Sequence, residues 1–456
     1  MINADMNLTP SDLLPAIERM WDVSGAKIER IEASAEARGG KTPVFTVDGV
    51  YQPQGWTEWT QGFQFGSALL QYDVADEDRF LQIGWRNTRE KMHTHVSHTG
   101  VHDHGFNNLS TYGNLLRLGR AGRFDMCEDE DAFYSLALQI SGAVQAGRWT
   151  KTADGGGFIH SFNGPQSLFV DTVRSCRIVA LSHLLGHRPL GEQDEPIDLP
   201  RRLREHLRKT AHCNIFYGDG DDVYDTPDVR GRTVHETLWN PVSGKFRAPS
   251  TQQGYSPFST WTRGLAWAVL GFAEQLELAG AQPDLFDDDT VKLMHKAASA
   301  TCDFYLAHTP TDGVPYWDTG APGLVHLGDW RGESSDPFND HEPIDSSAAA
   351  IACQGLVRYG RLAGEPRYTQ AGLTTLRTLL EEPYLSTSAD HEGLLLHTIY
   401  HRPNGWDHVP AGSKVPNGEA CMWGDYHLRE AALHVQRIAG GADYRFFDCL
   451  SGGDER

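Results

Sequence analysis

Residues 253–267 read QGYSPFSTWTRGLAW, a polar and aromatic turn that runs into an apolar segment. After Trp261 the apolar residues recur at helical spacing, which predicts a buried helix. We expect Ser259 or Thr260 to cap its start, because hydroxyl groups accept hydrogen bonds from the first backbone N–H groups of a helix. A helix start with Arg263 beside it suits a carboxylate ligand. The alternative interpretation is a packed tryptophan and a surface arginine.

The same helical spacing returns about a dozen times along the chain. Glycines follow several predicted helices, as at Gly280 and Gly364, and are typical of the joints in helical hairpins. Repeated hairpins without a low-complexity linker favour one closed helical ring, with an open solenoid or two bundles as alternatives. Strand patterns are limited to short pieces such as 44–47. The predicted helices begin at Ser11, after Gly62 and at an Asp76 cap, and then cover 107–119, 129–146, 171–186, 198–211, 259–279, 288–307, 345–363, 366–382 and 422–438.

Long loops rich in histidine, aspartate and aromatic residues separate these helices. Connections of this length are usually functional. If the helices form a closed ring, we expect the loops to gather at one end and to build a cleft. The loops are 92–106, 148–170, 212–258, 311–344 and 384–421.

The composition limits the classes of partner. The chain has 456 residues and a formal net charge of -21 at pH 7, which argues against nucleic acid and anionic membranes. An anionic substrate therefore needs a local cationic site. Seven cysteines without a CxxC pair indicate reduced thiols and a cytoplasmic protein. We see no signal peptide in 1–20 and no apolar run long enough to span a membrane.

Five histidines lie between His93 and His104, and imidazole is a common metal ligand. No HExxH pattern accompanies them, and histidines that alternate on a loop rarely fix a tetrahedral site alone. We therefore expect no metal and no cofactor. A solvated polar loop explains 93–98 better than it explains His102 and Asp103.

Asp171 is the strongest candidate for acid–base chemistry. It follows an apolar run, 167–170, and opens a predicted helix. Its carboxyl group is either a helix cap or an acid in an apolar wall, with a raised pKa that lets it hold a proton. Asp103 would complete the pair of carboxyl groups that glycoside chemistry usually needs. The sequence does not bring the two aspartates together by itself.

The motifs, taken in order, resemble those of the unsaturated glucuronyl hydrolases, glycoside hydrolase family 88. The resemblance spans 59–433, most of the chain. Two departures concern Gln64, where the family often has an aromatic residue, and Ser175, where it often has asparagine. The motifs are WTQGF at 59–63, HDHGF at 102–106, VD at 170–171, VHET at 234–237, QG at 253–254, STWTRGLAW at 259–267, VPYWD at 314–318, DSSA at 345–348 and WGDY at 423–426.

This resemblance implies an all-α fold, an (α/α)6 barrel. It implies one catalytic domain over 1–456, in which we expect an N-terminal helical segment at 1–40 and a flexible tail at 440–456. Asp171 would be the general acid and base, with Asp103 as its carboxylate partner. The substrate-binding residues would be His102, His235, Gln253, Trp261 and Arg263, with Trp59 as a stacking platform.

The resemblance also implies the reaction. The substrate would be a small oligosaccharide whose non-reducing end is a 4,5-unsaturated glucuronic acid left by a polysaccharide lyase. Hydration of its C4=C5 vinyl ether would release that sugar. The alternatives are an unsaturated rhamnogalacturonyl hydrolase acting on pectin fragments and a catalytically silent, sugar-binding helical ring. We expect a monomer or a weak homodimer.

Overall fold

The fold is known from a computed structural model that describes residues 1–450 except Glu36, Trp56 and Asp221. Helices dominate it, and a π-helical segment, Leu109–Gly113, joins α5 to α6. The helices are α1 Leu14–Ala33, α2 Gln61–Ala75, α3 Asp78–Lys91, α4 His93–Val96, α5 His104–Asn108, α6 Asn114–Arg120, α7 Glu128–Gly147, α8 Thr172–Ser175, α9 Arg177–Leu184, α10 Leu199–Cys213, α11 Thr262–Ala281, α12 Asp288–Ala307, α13 Ser346–Ala363, α14 Pro366–Leu379 and α15 Met422–Ala439.

The helices form two concentric rings. The inner ring consists of α2, then α5 with α6, then α8 with α9, then α11, α13 and α15. Each member contacts the next, and α15 contacts α2, which closes the ring. The outer ring consists of α1, α3, α7, α10, α12 and α14, each packed on an inner helix. The chain is an (α/α)6 barrel, so the prediction of a closed ring is confirmed and the open solenoid and two-bundle alternatives are wrong.

The sequence explains which helices form the inner ring. Helix α11 is buried on nearly all sides, because inner helices have neighbours on both faces and are apolar all round. The outer helix α10 instead buries one stripe, Leu203, Leu207 and Ala211, at a spacing of four residues. Gly355 on α13 shows how closely the inner helices pack: a Cβ atom there would lie 2.7 Å from the backbone of Leu270 on α11.

Several predicted helix ends are wrong. Helix α11 has Trp261 at its N-cap position, without a side-chain capping bond. The two residues expected to cap it bond elsewhere: the Ser259 hydroxyl donates to the Ser256 carbonyl, and the Thr260 hydroxyl accepts from the Thr233 N–H. Asp76 does not begin α3 but ends α2, in a left-handed conformation with φ of 55°. Backbone conformation at Asp76 and side-chain bonds made by Ser259 and Thr260 accompany these ends, and apolar spacing does not reveal either.

Two predicted helices are also interrupted. The helix expected over 171–186 breaks at Cys176 into α8 and α9, and the one expected over 107–119 contains the π segment. The first helix, α1, begins only after a 3₁₀ turn at Pro10–Leu13.

Short antiparallel strands support the loops. The piece at 44–47 lies in β1, whereas most other strands were missed because three to five residues give too little alternation. Pairing of β5 with β6 is extended by a hydrogen bond from the Val170 N–H to the His235 carbonyl, so Asp171 and His235 leave the sheet at the same end. The strands are β1 Pro43–Val47, β2 Val50–Pro53, β3 Trp149–Lys151, β4 Gly157–Ile159, β5 Ser167–Phe169, β6 Glu236–Trp239 and β7 Phe246–Ser250.

Both ends of the described chain pack on the barrel. Helix α1 belongs to the outer ring, and Tyr444, Phe447 and Cys449 are buried, so the expected flexible tail does not begin at 440. The rest of that prediction, 451–456, lies outside the described residues. All seven cysteines are free thiols. Over the residues that the structure covers, we find no helix with the length and apolar character needed to cross a membrane.

Candidate active site

A cleft of about 570 Å³ opens at the end of the barrel where the inner helices begin. Its wall comes from the residues just before α2, from the starts of α5, α8 and α11, and from the loop that precedes α15. Four of the five long loops contribute to it, whereas 311–344 supplies none of the described lining residues. The prediction that long loops build a cleft at one end is confirmed for these four.

Asp103 and Asp171 meet in this cleft, on either side of His102. Both aspartates occupy helix N-cap positions, of α5 and α8, yet neither side chain makes a capping bond. Instead, the His102 Nε2 atom lies 3.2 Å from Asp171 Oδ1 and 3.9 Å from Asp103 Oδ1. Each aspartate is only 8% exposed. The interpretation of Asp171 as a simple helix cap is therefore wrong.

The surroundings of His102 fix its tautomer. The Phe162 backbone N–H donates to His102 Nδ1 at 3.2 Å, so the neutral ring carries its proton on Nε2. That N–H then donates to Asp171 Oδ1, which leaves Oδ2 as the oxygen available for chemistry. Phe162 and Phe169 pack against the imidazole with ring centroids 6.0 and 5.4 Å away.

The pKa values of Asp103, Asp171 and His102 are shifted in different directions. Burial raises the pKa of Asp103, and the nearby Asp171 adds to that effect. Burial also acts to raise the pKa of Asp171, but the charge and hydrogen bond of His102 bring it below its ordinary value. Burial acts to lower the pKa of His102, yet the two carboxyl groups raise it. The raised pKa that the sequence suggested for Asp171 therefore belongs to Asp103.

His235 presents an unused donor beside this set. Its Nδ1 accepts from the backbone N–H groups of Gln252 and Gln253, at 3.1 and 3.4 Å. Burial lowers the pKa of His235 to about 3, so the ring is neutral and its proton lies on Nε2. That buried Nε2 has no hydrogen-bond partner anywhere in the described chain. A buried donor without an acceptor is costly unless a ligand or water supplies one.

Arg263 lies in the wall of the cleft with its donors already engaged. Its Nη1 donates to Asp345 Oδ2 at 2.8 Å and to the Ile399 carbonyl. Its Nη2 donates to Gln253 Oε1 at 2.8 Å and to the Tyr400 carbonyl at 2.7 Å. The residue is 1% exposed. The interpretation as a surface arginine is wrong, and so is the picture of a free fork that waits for a carboxylate.

Aromatic residues line the rest of the cleft. Trp59 is half-buried and stacks on the buried Trp423, with ring centroids 5.0 Å apart. Trp261 lies under the Arg263 guanidinium, whose central carbon is 4.6 Å from the ring centroid.

The predicted residues Trp59, His102, Asp103, Asp171, Gln253, Trp261 and Arg263 all line the cleft, and His235 lies directly behind it.

Ser175 joins the segment that carries His102 and Asp103 to the helix that follows Asp171. Its hydroxyl donates to the His102 carbonyl at 2.6 Å and accepts from the Gly105 N–H at 3.1 Å. Gln145 contacts the same oxygen. Gly105 leaves no room for a side chain, since a Cβ atom would collide with the Ser175 backbone carbonyl. The sequence marked Ser175 only as a departure from a family pattern, and the structure gives it a positioning role.

The histidine-rich loop does not gather its imidazoles around one point. His95 bonds to Gln61 Oε1 at 2.8 Å, and His104 bonds to Ser141 Oγ at 2.8 Å and to the His98 carbonyl. His93 is exposed as expected, but His95 is buried. The prediction of a solvated loop fails at His95 because α4 packs on α7.

Other lining residues were not predicted individually. Glu58, Phe162, Tyr400, His401, Asn404 and Trp406 all face the cleft. All of them except Glu58 lie in long loops that carried the right signal, an excess of aromatic and polar residues. Nothing in the spacing of these residues shows which of them turn inward.

A closed (α/α)6 barrel with a buried aspartate pair and an aromatic cleft has the groups that acid–base chemistry on a sugar requires. No protein-family model matches the chain. An unsaturated glucuronyl hydrolase of Bacillus sp. (strain GL1) is 27% identical over 400 residues, 85% of this chain and 89% of that protein. One of Formosa agariphila is 29% identical over 390 residues, 84% of this chain and 80% of that protein.

A solved structure agrees with these relatives. It is that of the unsaturated glucuronyl hydrolase "responsible for the degradation of glycosaminoglycan" from Bacillus sp. GL1. It matches with a TM-score of 0.69 at 20% identity, over 91% of this chain and 96% of that one. The resemblance seen in the motifs is confirmed: the chain is similar to unsaturated glucuronyl hydrolases over most of its length. A catalytically silent ring is thereby disfavoured.

Proposed function

We propose that the enzyme removes 4,5-unsaturated glucuronic acid from the non-reducing end of small, lyase-generated oligosaccharides of the glycosaminoglycan type. The observation that carries this proposal is the buried set Asp171, His102 and Asp103, in which one oxygen of Asp171 is left free for proton transfer. The activities named for the relatives support the substrate class.

The first step is a proton transfer to carbon. Asp171 gives its proton to C4, and the electron pair of the C4=C5 bond forms the new C4–H bond. Positive charge then develops at C5 and is shared with the ring oxygen. A general acid in this position is worth roughly 10²–10⁴ in rate.

The second step returns the proton. Water attacks C5 while the Asp171 carboxylate takes one of its protons, which restores the acid. The product carries a hydroxyl group on C5 and is a hemiketal. Its ring opens to a C5 ketone, the hemiacetal left at C1 collapses, and the remaining oligosaccharide leaves as an alcohol. No bond between enzyme and sugar is needed.

Substrate binding would supply the protonated Asp171. The charge and the hydrogen bond of His102 lower the pKa of Asp171. A bound uronate brings a negative charge beside this carboxyl group and displaces water, and both effects favour the neutral acid. Burial raises the pKa of Asp103. Asp103 can therefore hold a proton of its own and does not take the proton of Asp171.

We assign the substrate-binding roles from the hydrogen-bond donors and aromatic ring faces that line the cleft. His235 Nε2–H is the buried donor that lacks an acceptor, so we assign it to an oxygen of the uronate ring or its carboxylate. Gln253 has its Oε1 fixed by Arg263, which orients its amide nitrogen as a further donor. Trp59 and Trp261 would cover the faces of the sugar. Arg263 would act through Gln253 and through its positive charge.

The test is a panel of unsaturated disaccharides from glycosaminoglycan and pectin lyases. We expect the absorbance of the conjugated alkene to disappear with the glucuronyl substrates. In D₂O, the product should carry one deuterium at C4, placed there by Asp171. Turnover of only the rhamnogalacturonyl fragments would show that the sugar is assigned wrongly, and loss of the aglycone without loss of the alkene would overturn the mechanism.

We further propose a single catalytic domain that works in the cytoplasm as a monomer or weak homodimer. Seven free thiols support a reducing compartment. The net charge of -21 argues against nucleic acid as a partner.

A further inference from the structure

Two aromatic side chains at the mouth of the cleft are unusually exposed. Phe162 is 54% exposed and Trp406 is 49% exposed, although both line the cleft. Phe162 lies between β4 and β5 and stacks on His102, with the two rings 18° from parallel. Trp406 lies in the loop before α15 and packs on Tyr400 and His401, with centroids 5.3 and 4.7 Å away. Each ring packs on other rings of the cleft wall, and its exposed part offers an apolar surface to a ligand.

The cleft offers almost no positive charge. Arg263 is the only lysine or arginine among the described residues that line it, and both of its terminal nitrogens are bonded to the protein. Burial lowers the pKa of His401 to about 4, so that ring is uncharged at neutral pH. Glu58 adds an acidic group to the same wall. A sulfate group placed here would lose water without gaining a counter-charge, which is unfavourable.

We propose that Phe162 and Trp406 form the binding site for the sugar next to the unsaturated uronate, and that this site selects an uncharged, unsulfated sugar. The inference rests on the proposed function, because the reacting uronate must occupy the inner part of the cleft near Asp171. The apolar faces of a hexose fit exposed aromatic rings, whereas an anionic substituent meets an aromatic and acidic wall.

The first experiment compares one pair of substrates on the wild-type enzyme. The pair is an unsaturated glucuronyl–hexosamine disaccharide without sulfate and the same disaccharide with sulfate on the hexosamine. We expect kcat/KM to favour the unsulfated substrate by about tenfold or more, since one poorly compensated charge costs at least that factor. Equal rates, or a preference for sulfate, would overturn the inference. Failure with both substrates would overturn the proposed function instead.

Asn404 offers a second, independent test. It lines the same mouth and is exposed, so a longer side chain has room. We expect Asn404→Lys to shift the ratio of kcat/KM about tenfold towards the sulfated disaccharide, with a gain that fades as salt is added. Asn404→Gln, which adds length without charge, should leave the ratio as it is. An unchanged ratio in the lysine variant would show that the sulfate is not bound at this mouth.

Trp406 tests the aromatic contact. Trp406→Ala should raise KM for the unsulfated disaccharide by about fivefold to tenfold, and Trp406→Phe should restore most of that loss. A KM unchanged in Trp406→Ala, with the protein folded, would remove Trp406 from the site.

Discussion

At Asp171, one hydrogen bond determines which carboxyl oxygen is left for the proposed proton transfer. His102 holds Oδ1 at 3.2 Å, and the backbone N–H of Phe162 keeps the His102 proton on the side of Asp171. The Asp171 side chain does not cap α8, because it makes no capping hydrogen bond there. Its removal should therefore affect chemistry far more than folding.

We predict that Asp171→Asn lowers kcat by about 10²–10⁴ while the protein stays folded. Asparagine keeps the shape and can still accept from His102 through its amide oxygen, but it cannot deliver a proton to C4. Loss of alkene absorbance measures the rate, and circular dichroism measures the fold. Activity near that of the wild type would exclude Asp171 as the acid.

Arg263 leads to a different prediction from the one its sequence position suggests. Its donors anchor the carbonyls of Ile399 and Tyr400 and pair with Asp345 in the interior. A lysine keeps the charge but cannot span these acceptors, so buried acceptors would be left unpaired. We predict that Arg263→Lys both raises KM and lowers the free energy of unfolding by about 2–3 kcal/mol. Urea unfolding and substrate kinetics on the same preparation separate the two effects. A raised KM with unchanged stability would mean that Arg263 contacts the substrate and little else.

Residue types were easier to predict than their partners. Asp171 stood out because it follows an apolar run, and His102 and Asp103 stood out because they end a histidine-rich loop and match a family motif. The bond between His102 and Asp171 joins residues 69 apart in sequence, and no local pattern encodes it. For the same reason the engagement of Arg263 by loop carbonyls could not be foreseen.

At the scale of elements, the site depends on the close approach of α5 and α8. Ser175 bridges them, and Gly105 permits the contact. The two segments carry His102, Asp103 and Asp171, so a small separation would lengthen the bond between His102 and Asp171.

We predict that Ser175→Ala lowers kcat by about tenfold and stability by about 1–3 kcal/mol, because the buried Gly105 N–H loses its acceptor. Ser182→Ala is a matched control, since that buried hydroxyl donates to the Gln139 carbonyl of α7 and does not bond to the segment that carries His102 and Asp103. The control should cost stability without changing kcat. If both variants lose activity in proportion to stability, Ser175 has only a structural role.

The loop before α15 contains a buried acid, Asp407, whose raised pKa makes the stability of the protein depend on pH. Asp407 accepts hydrogen bonds from the backbone N–H groups of Tyr400 and His401, and burial raises its pKa from 3.8 to about 6. The folded state therefore binds this proton more tightly than the unfolded state does. Its contribution to stability is complete below pH 3.8 and is lost as the pH rises through 6.

We predict that the stability of the wild type relative to Asp407→Asn falls by up to about 3 kcal/mol between pH 4 and pH 7. Asparagine does not titrate, so the variant lacks this pH dependence. Urea unfolding at several pH values gives the difference directly. A constant difference would show that Asp407 keeps an ordinary pKa in the folded protein.

Long helices could be predicted from the sequence, whereas breaks within helices and short strands could not. Helices such as α12, at Asp288–Ala307, matched the predicted range because their apolar stripe repeats over several turns. The breaks at Cys176 and in the π segment depend on contacts with neighbouring helices, which periodicity does not contain. Strands of three residues, such as β5, lie below the length at which alternation can be recognised.

At the scale of the whole molecule, the formal net charge of -21 opposes the approach of any polyanion. Repulsion grows with the number of charges on the substrate and weakens as salt screens it. The cleft itself, at about 570 Å³, has the size of a site for one small ligand. Charge and shape therefore both favour short oligosaccharides.

We predict that the enzyme prefers unsaturated di- and tetrasaccharides to intact polymer and acts only from the unsaturated end. Only that end carries the C4=C5 bond that Asp171 protonates in the proposed mechanism, so internal sugars offer no reaction. A size series of lyase products, measured at low and at moderate ionic strength, gives the test. We expect kcat/KM to fall with length, and added salt to narrow the gap because it screens the longer substrates most. A gap that does not respond to salt would show that fit in the cleft, and not the charge of the molecule, sets the preference. Internal cleavage of intact polymer would contradict the exclusive action from the unsaturated end.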